Sequence, residues 1–201
     1  VTRNVFERLN IRRRKVLAAD TGKYKPGEFG YWWTVEEGNE DIEGKDYKDS
    51  IYCNEKGLTS LRGCPKSVYT FQCVRNKLIT LDGGPKRVEY DFICSENQLT
   101  TLKGTPIKVG GNFICRDNEL VSLEGAPERV AGNFDCSGNL LTSLEGSPKS
   151  VGMNFLCYDN HVTSLKGAPR FVRYDFDCTE NPIKSLKGIG RVGGQIYSDL
   201  S

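Results

Sequence analysis

Eight cysteines stand among 201 residues, and Cys73, Cys94, Cys115, Cys136, Cys157 and Cys178 follow one another at intervals of 21, with Cys53 placed 20 residues ahead of the first. Thiols at such regular spacing invite four kinds of chemistry: metal ligation, a disulfide set, nucleophiles, or plain core packing. Zinc takes four converging ligands, commonly supplied as C-x-x-C pairs, and the chain contains no such pair. The neighbours of the cysteines favour packing. In "FICSENQLTTLKGTP", starting at Phe92, and "FICRDNELVSLEGAP", starting at Phe113, one residue separates Phe from Cys. That period-two spacing turns Phe and Cys to one side of a strand and the residue between them to the other. Thiols in parallel strands in register lie side by side and point the same way, a poor geometry for disulfides. Free Cys packs well as a small buried hydrophobe. Unpaired thiols in this number point to a reducing compartment and hence to the cytoplasm. Cys64 is the exception. It occupies a turn position where other units carry Gly84, Thr105, Ala126, Ser147 and Ala168, and is expected to be exposed and the most reactive of the eight.

Other reactive groups are sparse. The single histidine, His161, stands where neighbouring units have Lys77, Gln98, Glu119 and Leu140, which marks a surface position. Carboxylates recur two residues after Cys, as Glu55, Glu96, Asp117, Asp159 and Glu180, and are expected to form a solvated row. There is no glycine loop of phosphate-binding type and no Ser, His and Asp set of recognisable spacing. The expectation is a non-enzymatic protein without metal or cofactor.

The elements that carry these residues are repeats. Phe71, Phe92, Phe113, Phe134, Phe155 and Phe176 precede the cysteines by two, with Ile51 and Ile196 in the same place at the ends. Asn76, Asn97, Asn118, Asn139, Asn160 and Asn181 follow by three, then come two apolar columns headed by Leu58 and Leu61, and a Gly-x-Pro turn closes most units. The unit reads V-x-x-x-F-x-C-x-x-N-x-L-T-S-L-x-G-x-P. Self-similarity at this period marks a solenoid. One turn cannot fold alone: about five buried apolar side chains contribute roughly 10 kcal/mol, less than the backbone entropy of some twenty residues. Stacking must supply the second face.

At these columns the chain resembles the leucine-rich repeat family, whose pattern is L-x-L-x-x-N-x-L, and in particular the short repeats of bacterial and tailed-bacteriophage proteins. The resemblance runs from about Lys48 to Asp199. It implies a parallel sheet of about eight short strands, a mostly irregular convex side, and a concave sheet face that binds partners. It further implies a role in host interaction or defence, in the host cytoplasm if the chain is phage-encoded. The division expected is a small α/β or irregular cap over residues 1–47 and a solenoid over residues 48–201.

Three surfaces are candidates for a partner. On the outward face of the strands, Ile93, Ile114, Asp135, Leu156 and Asp177, with Arg116 and Tyr158 beside them, form the aliphatic, aromatic and Arg mixture of a protein interface. After each turn proline, Lys66, Lys86, Arg87, Lys108, Arg129, Lys149, Arg170 and Arg191 give a basic edge able to follow a phosphate backbone. Near the N-terminus, Arg12, Arg13 and Arg14 with Trp32 and Trp33 make a second interface candidate, although the aromatic residues also suit a cap over the first turn. A net charge of +2 announces neither nucleic acid nor membrane as a partner. The leading expectation is a protein partner on the sheet face, with nucleic acid on the basic edge second. Third is the substrate-recognition part of a bacterial effector, disfavoured because no catalytic domain follows the repeats. The expected state is a monomer or a homodimer through the C-terminal strand edge.

Overall fold

The computed structural model describes residues 23–37 and 39–200. From Ile51 onward the chain winds as a parallel β-solenoid of about seven turns, each corner set by a repeated residue type. Two sheets run its length. The front sheet has eight strands in the order of the chain: Ile51–Tyr52, Phe71–Gln72, Phe92–Ile93, Phe113–Ile114, Phe134–Asp135, Phe155–Leu156, Phe176–Asp177 and Ile196–Tyr197. The rear sheet has seven: Ser67–Val68, Arg87–Val88, Lys108–Val109, Arg129–Val130, Ser150–Val151, Phe171–Val172 and Arg191–Val192. The side expected to be irregular therefore carries ladder hydrogen bonds of its own. Its strands each turn a single Val to the core, and with no second inward column beside it no alternating hydrophobic pattern announces them.

Identical residues face one another in register, Phe71 against Phe92, Phe92 against Phe113 and so on to Phe176. Their rings stack with centroids 5.0–5.7 Å apart and are fully buried. Aromatic pairs in this geometry add to the energy of area burial alone. Opposite them, Val68, Val88, Val109, Val130, Val151 and Val172 of the rear sheet are no more than 3% exposed, and the Leu columns close the interior between the sheets.

The Gly-x-Pro corner requires glycine. Gly104 has φ +94°, and a Cβ there would lie 2.4 Å from the carbonyl carbon of Leu81 in the preceding turn. Any side chain would force successive turns apart.

The N-terminal cap is a helical turn, Phe29–Tyr31, running into a π-helical turn, Trp32–Glu36. It joins the solenoid through Phe29 N–H to Ser60 O at 2.9 Å and Tyr47 N–H to Ser67 O at 2.9 Å. Because the first turn has Ile51 where later turns have Phe, the ring stack ends at Phe71. Phe29 enters from the cap to continue it, its centroid 6.1 Å from that of Phe71.

Candidate partner-binding face

The cysteine column faces the interior. All eight cysteines are free and buried, and thiols such as that of Cys115 donate to the carbonyl of the next turn, here Asp135 O at 3.4 Å. A small side chain with a weak donor suits this position, since it fills the space between Phe and Leu columns and satisfies a spare lone pair. Desolvation pushes the thiols up from their ordinary range, with Cys178 in the last complete turn raised to about 11. The thiolate, the reactive form, is thus suppressed throughout. Cys64 departs from expectation: it is 4% exposed, and burial raises its thiol as well. The column itself faces inward: Cys64 belongs to the core, Gly84 is buried, and Ala126 and Ala168 pack partly buried against the core in later turns.

The asparagines are structural and fully engaged. Asn118 donates to Cys94 O, Cys115 O and Arg116 O at 3.0–3.2 Å and accepts the N–H of Leu99 at 3.1 Å. Each Asn thereby ties its own turn to the one before it. A second polar ladder escaped the sequence analysis. The carboxylate of Asp91 accepts Asn112 N–H, the amide oxygen of Asn112 accepts Asn133 N–H, that of Asn133 accepts Asn154 N–H, and that of Asn154 accepts Asp175 N–H, at 2.7–3.0 Å. The signal was present as Asp or Asn immediately before Phe at intervals of 21.

The row two residues after Cys shares one backbone conformation. Glu55, Glu96, Asp117, Asp159 and Glu180 all have φ between +52° and +58°, as does Arg75, and Gly138 fills the same place with φ +61°. Asp and Asn tolerate this left-handed conformation better than most residues. Arg75 links the row by ion pairs to Glu55 at 3.2 Å and Glu96 at 2.7 Å. Asp117 has its carboxyl raised by desolvation, and the charges of Glu96, Asp135 and Asp159 push it the same way against Arg116. His161 is exposed.

On the front face, register places Ile93 beside Ile114, Ile114 beside Asp135, and Leu156 between Asp135 and Asp177. The aliphatic side chains are half-buried, as are Asp177 and Tyr158, and Arg116 is exposed. Asp135 was expected in the open and is instead 6% exposed. Its carboxylate turns back to accept Ser137 N–H at 3.0 Å and Ser137 Oγ–H at 2.5 Å. Asp177 does the same with Thr179. The recurring D-C-S and D-C-T triplets carried that signal. Tyr52 at 58% and Tyr197 at 47% exposure mark the two ends of the face.

The basic residues lie on the rear sheet, all exposed, in two adjacent columns rather than one edge. Arg87, Lys108, Arg129 and Arg191 begin strands, and Lys66, Lys86, Lys149 and Arg170 precede them. Trp32 and Trp33 pack on Phe29 at 5.4 and 5.8 Å, and their indole N–H groups are taken by Glu37 and by the carbonyl of Glu40. Arg12, Arg13 and Arg14 lie outside the described residues. Among the described residues, no three His, Cys, Asp or Glu side chains converge as a metal site, and no helix is long and apolar enough to cross a membrane. Compared with family models, with curated proteins and with solved structures, the chain has no significant match in any of the three.

Proposed function

We propose that the chain is a non-enzymatic recognition module of the leucine-rich repeat type, holding a partner protein on the outer face of its front sheet. The observation that carries this reading is the row Ile93, Ile114 and Leu156, with Asp135 between the last two in register, half-exposed on a sheet whose opposite side is a continuous ring stack. Aliphatic side chains presented on a rigid floor, with Arg116 and Tyr158 beside them, have the composition of an interface centre. Hydrogen-bonded turns at Asp135, which is buried, and at Asp177, which is half-buried, hold the flanking backbone in place, so the face is preorganised. Burial of every thiol and the exposed position of His161 favour binding over catalysis. Eight unpaired thiols suit a reducing compartment such as the cytoplasm. The likeness to phage and bacterial repeats adds the expectation of a host-directed partner.

Affinity purification would identify the partner, and its binding to purified variants tests the face. Ile114→Lys with Leu156→Lys introduces cations next to Asp135 and Asp177, which the register supplies as neighbours, so the fold is retained. The expected outcome is an affinity loss of about a hundredfold or more; undiminished binding by the folded variant would exclude this face.

A further inference from the structure

The rear sheet carries a depression that the front-face reading does not use. Its lining includes the small residues Ala131 and Gly152, and further glycines, Gly110, Gly111 and Gly132, follow the strands of the middle turns nearby in sequence. The glycines are there for packing, since a Cβ at Gly152 would lie 2.1 Å from Ala131 O. Their consequence is a bare backbone floor with side chains standing around it. The result is an open cavity of about 350 Å³ whose lining includes Lys108, Arg129, Ala131, Gly152, Phe171 and Arg173.

The charges at this cavity are available. Lys149 is paired with Glu128 at 2.5 Å and Arg87 with Asp46 at 3.3 Å, whereas Lys108, Arg129 and Arg173 have no carboxylate within ion-pair distance among the described residues. Lys108 and Arg129 are direct register partners, one strand spacing of about 4.8 Å apart. Aromatic rings stand beside these cations. Phe171 occupies a column otherwise filled by Ser, Lys and Arg and is 40% exposed, and Tyr174 is 45% exposed with the Arg173 guanidinium 5.4 Å from its ring centroid. A phenylalanine held out of a well-packed core, next to unpaired cations, is the combination that binds unpaired bases by stacking and their phosphates by charge. A duplex would present no free base faces to these rings.

We propose that the rear-sheet depression binds single-stranded nucleic acid, with bases stacked on Phe171 and Tyr174 and phosphates against Lys108, Arg129 and Arg173. The basic column extends the track on both sides, from Arg87 to Arg191. Six strands at about 4.8 Å spacing span about 24 Å, room for about seven nucleotides at a stacked spacing of about 3.4 Å.

The test is fluorescence anisotropy of the full chain with a labelled oligothymidylate of about twelve nucleotides, beginning near 50 mM salt and titrating upward. Saturable binding is expected, with log affinity falling against log salt at a slope of about −2 for three phosphates. Lys108→Glu with Arg129→Glu should weaken binding more than tenfold and flatten that slope. Phe171→Ala and Tyr174→Ala should each weaken it by about tenfold at an unchanged slope. All four positions are exposed, and thermal melting checks that each variant is folded. Absence of binding at low salt overturns the proposal. So does equal affinity for duplex DNA, for an acidic peptide or for heparin, as does indifference to Phe171→Ala, since each would leave only a diffuse positive surface.

Discussion

The side-chain amide of Asn118 lies 3.2 Å from the carbonyl oxygen of Cys94, a residue 24 positions earlier and one full turn below. The same nitrogen holds Cys115 O of its own turn at 3.0 Å, so one side chain fastens two turns at the corner where the front strand ends. Replacing Asn118 by Ala leaves the buried N–H of Leu99 without an acceptor and cuts the tie between turns, while Cys94 O keeps Asn97 and Cys115 O keeps Asn139 as donors. Each group left unsatisfied costs about 1–3 kcal/mol. A loss of about 1–3 kcal/mol is expected for Asn118→Ala in urea titration, whereas Gln98→Ala, one residue beyond the preceding Asn and exposed, should change stability little.

The left-handed column predicts substitutions that improve the protein. Asp117 has φ +56° and a raised carboxyl crowded by Glu96, Asp135 and Asp159. A carboxyl whose folded value is raised contributes its stability at low pH and loses it as pH climbs above the unfolded value of about 3.9. Asp117→Asn keeps a residue that accepts positive φ and removes the charge. It should therefore raise the melting temperature at neutral pH and lose that advantage near pH 3. The converse change, Gly138→Val, forces a β-branched residue to φ +61° and sets its Cβ 2.5 Å from Asp117 Oδ1. It should cost about 2 kcal/mol or more, measured by the same melting experiment.

Alkaline pH should unfold the solenoid unusually steeply. Folded thiols are raised by desolvation, Cys178 to about 11 and Cys64, Cys94 and Cys136 well above their ordinary range, while an unfolded thiol titrates near 8.5. Below that value both states keep their protons and stability is unaffected. Above it the unfolded chain releases protons that the folded chain retains, so stability falls by about 1.4 kcal/mol per pH unit for each thiol. With eight buried thiols acting together, the urea midpoint should stay level to about pH 8 and then collapse between about pH 9 and 11. A midpoint that holds through that interval would contradict the burial of the column.

The sequence made the front sheet legible because F-x-C repeats with an invariant partner, so the inward and outward sides separate by alternation alone. The Asn column was legible too, as a polar residue locked to the same period. The rear sheet was not: its strands are as short as the front ones, but each offers one Val turned to the core without a second inward column, like that of Cys after Phe, to make the alternation visible. Asp135 was misplaced for a local reason. Alternation put it outward correctly, but the hydroxyl of Ser137 two positions on drew the carboxylate back against the backbone. Cys64 was misjudged because a turn position was read as exposed, whereas the small residues of its column, Gly84, Ala126 and Ala168, also pack toward the core.

The most direct measurement of whether the cysteine column is a core rather than a reactive site is thiol titration with an aromatic disulfide reagent, in native buffer and in denaturant. All eight thiols are buried, so the native protein should show no rapidly reacting thiol, Cys64 included, and full denaturation should release all eight. One or more thiols reacting at the rate of a free cysteine in the native state would contradict the account.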